Sequence, residues 1–254
     1  MGILNVTPDS FSDGGQYAGV AQAIAAGRQM VADGAGLIDV GGESTRPGAA
    51  PVSPAEEQAR ILPVIRGLAG VVPISVDTRN ASTMAAALDA GATVVNDVSA
   101  LRHDPDAAAL VAARGCPVIL MHMRGTPETM RSLAQYDDVV AEVLQELAAR
   151  VDAAVAAGVD RRRIAIDPGI GFAKTADHNV TLLRHLDRLT ALGCPIVAGV
   201  SRKKFLTALS GAEHSVTASV AAVLSAWQRG ARILRVHDVA ETAQALRVWQ
   251  ALHA

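Results

Sequence analysis

Apolar residues fall in eight short runs, each bounded by Gly or Pro and followed by an alanine-rich stretch with apolar positions at helical spacing. The runs cover 2–6, 36–40, 72–76, 93–96, 117–122, 163–167, 195–200 and 231–236. Each is almost continuously apolar, the pattern of a strand buried on both faces of a parallel sheet. Between them the spacing predicts helices over 20–33, 54–68, 81–89, 106–114, 138–156, 179–192, 216–229 and 240–252. Ser53-Pro54-Ala55-Glu56 has the form of a helix start, with a hydroxyl cap, proline in the first turn and Glu three residues after the cap. Asp238 to Glu241 repeats the acidic version. Gly34, Gly91, Gly115, Gly158, Gly193 and Gly230 each end a helical stretch, where a left-handed residue stops a helix.

Length and composition narrow this pattern. The chain has 254 residues, half of them apolar and only 3% aromatic. That length suits one α/β barrel or two small domains, and scarce aromatics with abundant alanine suit helices laid close on parallel strands. Eight strand–helix units with no linker or low-complexity break predict one domain over 1–254. Its class is α/β, and a single (β/α)8 barrel is the economical arrangement; an open eight-stranded sheet should show a reversal of order or an insertion. The formal charge of −2 lacks the basic footprint of a general nucleic-acid binder. No apolar run reaches the roughly 20 residues of a membrane span. Cys116 and Cys194 stand far apart with no CxxC, which argues against a thiolate zinc site and a disulfide scaffold. With no leader-like start, the expected location is cytoplasmic.

In such a barrel, chemistry gathers where the strands end. The runs end on or beside Asn5, Asp39, Asp77, Asn96, His122, Asp167, Ser201 and His237. Any one of these could simply cap the next turn. Together they bring polar groups to one rim, and each left unpaired near a core would cost about 1–3 kcal/mol, so the rim reads as a ligand site. Two glycine-flanked loops, 5–15 and 41–48, carry polar tips suited to lids, although plain solvated turns would share that composition. Arg235 and His237 alternate along the last strand and face one side, just before a helix start that could receive phosphate. Ser201-Arg202-Lys203-Lys204 adds cationic charge, or is a solvated turn. No Walker loop or dinucleotide fingerprint competes for the phosphate role.

These stretches together resemble the dihydropteroate synthase family, the sulfonamide targets of folate biosynthesis. The resemblance spans nearly the whole chain. It runs from Met-Gly-Ile-Leu-Asn-Val-Thr-Pro-Asp-Ser-Phe-Ser-Asp-Gly-Gly at 1–15, through Asp-Val-Gly-Gly-Glu-Ser-Thr-Arg-Pro-Gly at 39–48 and Ser-Val-Asp-Thr at 75–78. Asn96-Asp97, Met121-His122-Met123, Asp-Pro-Gly-Ile-Gly-Phe-Ala-Lys at 167–174, Ser201-Arg202-Lys203 and Arg-Val-His-Asp-Val at 235–239 complete it. The first two blocks are long and specific. The resemblance implies a TIM-type barrel that condenses 6-hydroxymethyl-7,8-dihydropterin pyrophosphate with 4-aminobenzoate, yielding 7,8-dihydropteroate and pyrophosphate, with Mg2+ required.

By similarity, Asp77, Asn96, Met121, Asp167 and Lys203 would line the pterin pocket. Physical chemistry is consistent with this: a carboxylate such as Asp167 can accept two N–H groups from an aminopyrimidine edge, Asn96 can donate and accept, and Lys203 can donate. Met121 would pack on the flat ring, or equally fill core space. Asn5, Thr45, Arg235 and His237 match the positions that hold pyrophosphate, with Asn5 reaching Mg2+. Arg46, Pro47, Phe172, Ser201 and Lys203 match the aminobenzoate site, with Phe11 and Ser12 of the first loop closing over it. The catalytic set so implied is Asp77, Asp167, Lys203, Arg235 and His237.

The implied chemistry is dissociative. C–O cleavage gives a cation delocalised into the pterin, with its charge offset by Asp77 and Asp167. The resemblance also implies a homodimer, with the apolar faces around 216–227 as the contact. Two departures stand out: strand one starts almost at Met1, where relatives carry a preceding stretch that often closes the barrel bottom, and Arg124 replaces the more familiar Gln. Rival readings are a non-catalytic pterin-binding homologue, a methyl-folate methyltransferase on a related barrel, and a Schiff-base lyase using Lys203 or Lys174.

Overall fold

The structure is a computed structural model and describes residues 1–7, 15–44 and 52–253, with the side chains of the first helix from residue 19 onward. Eight parallel strands run in chain order: β1 (Gly2–Asn5), β2 (Ile38–Gly41), β3 (Ile74–Asp77), β4 (Val94–Asp97), β5 (Val118–Met121), β6 (Ile164–Asp167), β7 (Ile196–Ala198) and β8 (Ala231–Leu234). The edges meet through a parallel bridge between Gly2 and Val236, where Ile3 N donates to Val236 O (2.9 Å) and Val236 N to Met1 O (3.0 Å). The α/β barrel expected from the repeat is therefore present.

Outside the strands lie α1 (Gly15–Ala32), α2 (Pro54–Leu68), α3 (Ala81–Asp89), α4 (Ala107–Arg114), α5 (Val139–Ala156), α6 (Ala176–Arg184), α7 (Lys204–Ser210), α8 (Val216–Gln228) and α9 (Val239–His253). The apolar stripes do what their spacing predicts. Val139, Val143, Leu147, Val151 and Ala154 of α5 are all buried, and burying one such aliphatic side chain contributes about 1.5–3 kcal/mol. Caps set several boundaries: the Ser53 hydroxyl accepts from Glu56 N, and the Asp138 carboxylate accepts from Val140 N and Ala141 N, both at 3.0 Å. The six helix-ending glycines all have positive φ, from 58° at Gly115 to 114° at Gly91.

Three local differences from the sequence expectation have physical reasons. The helix expected over 179–192 begins earlier, at a Thr175 cap closed reciprocally by His178, and ends at Arg184, where a 3-10 turn over Leu186–Leu192 takes over. A short helix, α7, follows Lys203, so the basic stretch starts a helix rather than forming only a turn. Asp238 does not cap α9 with its carboxylate, because Arg202 binds that group.

Strand register positions the site. Asn5, Gly41, Asp77, Asn96 and Ile119 are lateral neighbours across β1 to β5, so they form one row on one face of the sheet. The row below holds Ile3, Asp39 and Ser75. Ile3, Ser75 and Ile119 are buried within the barrel, while Val40, Val76, Leu120 and Ile166 alternate outward against the helices. Gly41 leaves room in the upper row: a Cβ there would sit 3.4 Å from Asp77 Cβ.

Candidate functional site

The inner rows converge on Arg235, which follows β8. Its Nε donates to Asp39 Oδ2 (2.7 Å) and a terminal guanidinium nitrogen to Asp77 Oδ2 (2.8 Å). Asn96 Nδ2 donates to the same Asp39 oxygen at 3.1 Å. One guanidinium thus serves two carboxylates. Burial and the Asp39 charge push the Asp77 carboxyl up to about 7, while Arg235 opposes the shift. Asp39 is fully buried on its side chain, yet its Oδ1 has no hydrogen-bond partner among the described residues. A buried carboxylate oxygen left unpaired is costly and is available to a ligand or water.

Asp167 closes the cluster from β6. A Cβ on Gly199 would lie 3.7 Å from Asp167 Oδ2 and 4.0 Å from Arg235 Cδ, which places both groups beside the end of β7. Asp167 Oδ1 accepts from Gly169 N at 2.7 Å, and burial holds its carboxyl above the usual range despite that bond. The Lys203 ammonium sits over the Phe172 ring, 4.3 Å from its centroid. Burial, reinforced by the Arg235 charge, lowers Lys203 to about 8, with Asp167 and Asp77 pulling the other way. Phe172 packs with Val98, Met121, Met123, Met130 and Ala173 in an apolar wall next to these charges.

His237 lies on the rim with Ser201. The Ser201 hydroxyl bonds His237 Nδ1 at 3.1 Å and accepts from His237 N at 3.2 Å. Burial and the nearby Arg202 and Arg235 cations lower the imidazole to about 4, so it is neutral at pH 7 in this arrangement. Asn5 ends β1 half-buried in the same row as Asp77 and Asn96.

The structure therefore brings together Asp77, Asn96, Met121, Asp167, Phe172, Ser201, Lys203, Arg235, His237 and Asn5. Thr45, Arg46 and Pro47, together with Phe11 and Ser12, lie outside the described residues. His122 departs from the expected rim. It is 3% exposed and turned towards α5, with Nε2 against Glu146 Oε2 (3.1 Å) and Nδ1 against Lys174 Nζ (2.9 Å). Arg124 joins the same group by binding Glu146 and Glu142 and stacking 3.9 Å above Tyr136. Asp39 was legible only as one strand-end residue among eight. Its pairing with Arg235 spans 196 positions of sequence, which no local pattern signals.

Among the described residues no group of three His, Cys, Asp or Glu could hold a metal ion. The oxygen donors at the mouth, Asn5 and the Asp39 carboxylate, suit a hard cation that keeps waters and takes its other ligands from phosphate oxygens.

A family described as pterin binding enzyme matches residues 1–237. The dihydropteroate synthase of Neisseria meningitidis serogroup C is 48% identical over 259 residues, covering 99% of this chain and 92% of that protein. The structure of Xanthomonas albilineans dihydropteroate synthase with 4-aminobenzoic acid superposes with a TM-score of 0.94 at 52% identity, covering 100% of this chain and 92% of the other. The same enzyme in complex with 7,8-dihydropteroate gives 0.91 at 50% identity, with 100% and 93% covered.

Proposed function

Since the chain belongs to the dihydropteroate synthases, pterin-binding transferases of folate biosynthesis, we infer that its barrel mouth joins 6-hydroxymethyl-7,8-dihydropterin pyrophosphate to 4-aminobenzoate, giving 7,8-dihydropteroate and pyrophosphate. The observation that carries this reading is the meeting of Asp77, Asn96, Asp167 and Lys203 with the Arg235 guanidinium at one end of the barrel. Lys203 and Arg235, whose loss would mark a pterin binder without turnover, are both in place. The reading treats residues 1–254 as one domain.

In this proposal Asp167 and Asn96 bind the aminopyrimidine edge of the pterin, Lys203 donates to a ring acceptor, and Met121 packs on the ring face. Arg235, His237, Asn5 and Thr45 hold the pyrophosphate. Phe172, Ser201, Lys203, Arg46 and Pro47 form the aminobenzoate side. As the C–O bond breaks, the electron pair leaves with pyrophosphate and positive charge spreads into the dihydropterin. Asp77 and Asp167, already fixed in the low-dielectric mouth, offset that charge without reorganising. Arg235 and His237 stabilise the departing anion, and His237 can take up a proton when the anion raises its basicity. The neutral arylamine then attacks the methylene carbon and loses its proton, so no strong base is required. Water must be excluded, because it would capture the same cation.

Mg2+, when bound through pyrophosphate oxygens and Asn5, would supply further charge neutralisation to the leaving group. Sulfonamides, which share the para-substituted aniline of aminobenzoate, would compete for its side of the mouth. No helix among the described residues is long and apolar enough to cross a membrane; we assign the chain to the cytoplasm, where a transferase of folate biosynthesis would act. We also assign a homodimer through α7 and α8. Leu209 is 67% exposed there, beside Val180, Phe205, Ala218 and Ala222. Light scattering showing only monomer would remove that assignment.

The deciding experiment measures pyrophosphate release from the pterin pyrophosphate with Mg2+, with and without aminobenzoate, alongside mass spectrometry. Release that rises with aminobenzoate and a dihydropteroate peak support the synthase. Tight pterin binding with no release above the enzyme-free control overturns it.

A further inference from the structure

The reading above leaves a buried cation unused. Lys174 lies in the segment joining β6 to α6, and its ammonium makes three hydrogen bonds: to His122 Nδ1 (2.9 Å), Phe172 O (3.0 Å) and Gly169 O (3.1 Å). Three acceptors use all three donors of an ammonium group, so this geometry belongs to the charged lysine. Because His122 Nδ1 accepts, its Nε2–H donates to Glu146, which fixes a neutral tautomer. Burial agrees, lowering His122 to about 4 against the pull of Glu146. Glu146 is held ionised by the His122 bond and by Arg124, well down at about 2.

The segment that Lys174 grips is unusual in its backbone. Gly169, Gly171 and Ala173 all have positive φ, at 67°, 84° and 48°. A turn built from such residues does not hold its shape by local preference, and for alanine that conformation is strained. External pins are needed, and they are present: Lys174 on two carbonyls, and the Tyr136 hydroxyl on Ala173 O at 3.0 Å. The pinned segment delivers Phe172 beneath Lys203 and Gly169 N to Asp167.

We propose that Lys174 is a positioning residue for the condensation: its ammonium, braced by His122 and Glu146, pins the backbone at Gly169 and Phe172 and so sets the aminobenzoate side of the mouth. The proposal rests on the synthase reading. Deprotonation of Lys174 would turn one donor into a lone pair and release one of the two carbonyls. The groups that face this ammonium set when that happens. Burial lowers it to about 7, Asp167 and Glu146 hold the charge on, and Arg124 and Lys203 push it off. His122, just after β5, completes its surroundings, with Tyr136 ahead of α5 packed against the His122 ring.

The test is steady-state kinetics of the full chain from about pH 6 to pH 9, both substrates varied, for the wild type, K174M, K174R and E146Q. Expected for K174M is a KM for aminobenzoate raised about tenfold more than that for the pterin pyrophosphate, with a smaller change in kcat. In E146Q, which removes a negative charge from a partly exposed side chain, the alkaline loss of aminobenzoate kcat/KM begins at lower pH than in the wild type. K174R, whose charge persists, abolishes that limb. A lysine serving only stability would lower the melting temperature and leave the KM ratio and pH profile of the folded enzyme alone. If K174M fails to fold, the E146Q and K174R profiles decide. Wild-type and E146Q profiles that superimpose, or a K174M enzyme with an unchanged KM ratio, overturn the proposal. A wild type that makes no dihydropteroate overturns the synthase reading instead.

Discussion

Removing Arg235 tests the electrostatics of the mouth most directly. Arg235→Met keeps the apolar stem and deletes a guanidinium that binds Asp39 at 2.7 Å and Asp77 at 2.8 Å. Breaking a buried pair by deleting one partner costs about 3–5 kcal/mol, because the other charge stays buried and uncompensated. Arg235 is 21% exposed on its side chain and Asp77 13%, so screening and proton uptake reduce the cost, whereas Asp39 is at 0%. We expect about 3 kcal/mol at pH 8, roughly a hundredfold in the folding equilibrium. The pH dependence has a definite sign. The Asp77 carboxyl is raised on folding from its ordinary value to about 7, so the stability it contributes is present at low pH and lost as pH rises through the folded value. Without Arg235, which opposes the shift, that loss extends further up. The gap between variant and wild type should therefore be smaller near pH 5 than above pH 7. Urea unfolding of the ligand-free protein at both pH values reads the difference, and adding Asp39→Asn should recover more than about 1 kcal/mol at pH 8. An equal loss at both pH values with no recovery from the second substitution would refute the reasoning.

Three further outcomes follow from described geometry. Asp167→Asn and Lys203→Ala should each weaken pterin binding by about tenfold or more in titration calorimetry; unchanged affinity for both would mean the pocket is misplaced. Gly169→Ala should abolish folding or activity, since φ is +67° and its Cβ would fall 1.9 Å from His122 O, while Gly36→Ala, with nothing within 4 Å, should be tolerated; melting curves of the two compare them. The His237 ring should titrate near 4 by NMR in the free protein and move up when pyrophosphate is added; titration at an ordinary histidine value would contradict its burial.

The strands were legible because each is a short apolar run closed by Gly or Pro, and the cap at Ser53 marked the start of its helix. The 3-10 turn after Arg184 was not, since Leu186 and Leu189 continue a helical apolar spacing whatever the local winding. At the site, strand-end position found Asp77, Asn96 and Asp167. It misplaced His122, because the end of a strand does not say which face the next residue takes. The partners Glu146 and Lys174 were invisible to spacing, as they approach from a helix and a loop separated by 24 and 52 positions.

The seam between β1 and β8 gives the reaction site a place in time as well as in space. Gly2 and Val236 meet across nearly the full chain, and Arg235 leaves the ribosome after all eight strands. Seven strands can pair before the eighth exists, yet until it docks Asp39 and Asp77 lack the guanidinium that binds both. The nascent barrel thus carries an electrostatic reason to stay ajar, and arrival of Arg235 works as a latch. A pyrophosphate held by Arg235, His237 and Asn5 would span the same join, so substrate would slow reopening of the seam, and amide exchange at Ile3 and Val236 would report the latch more sensitively than global unfolding.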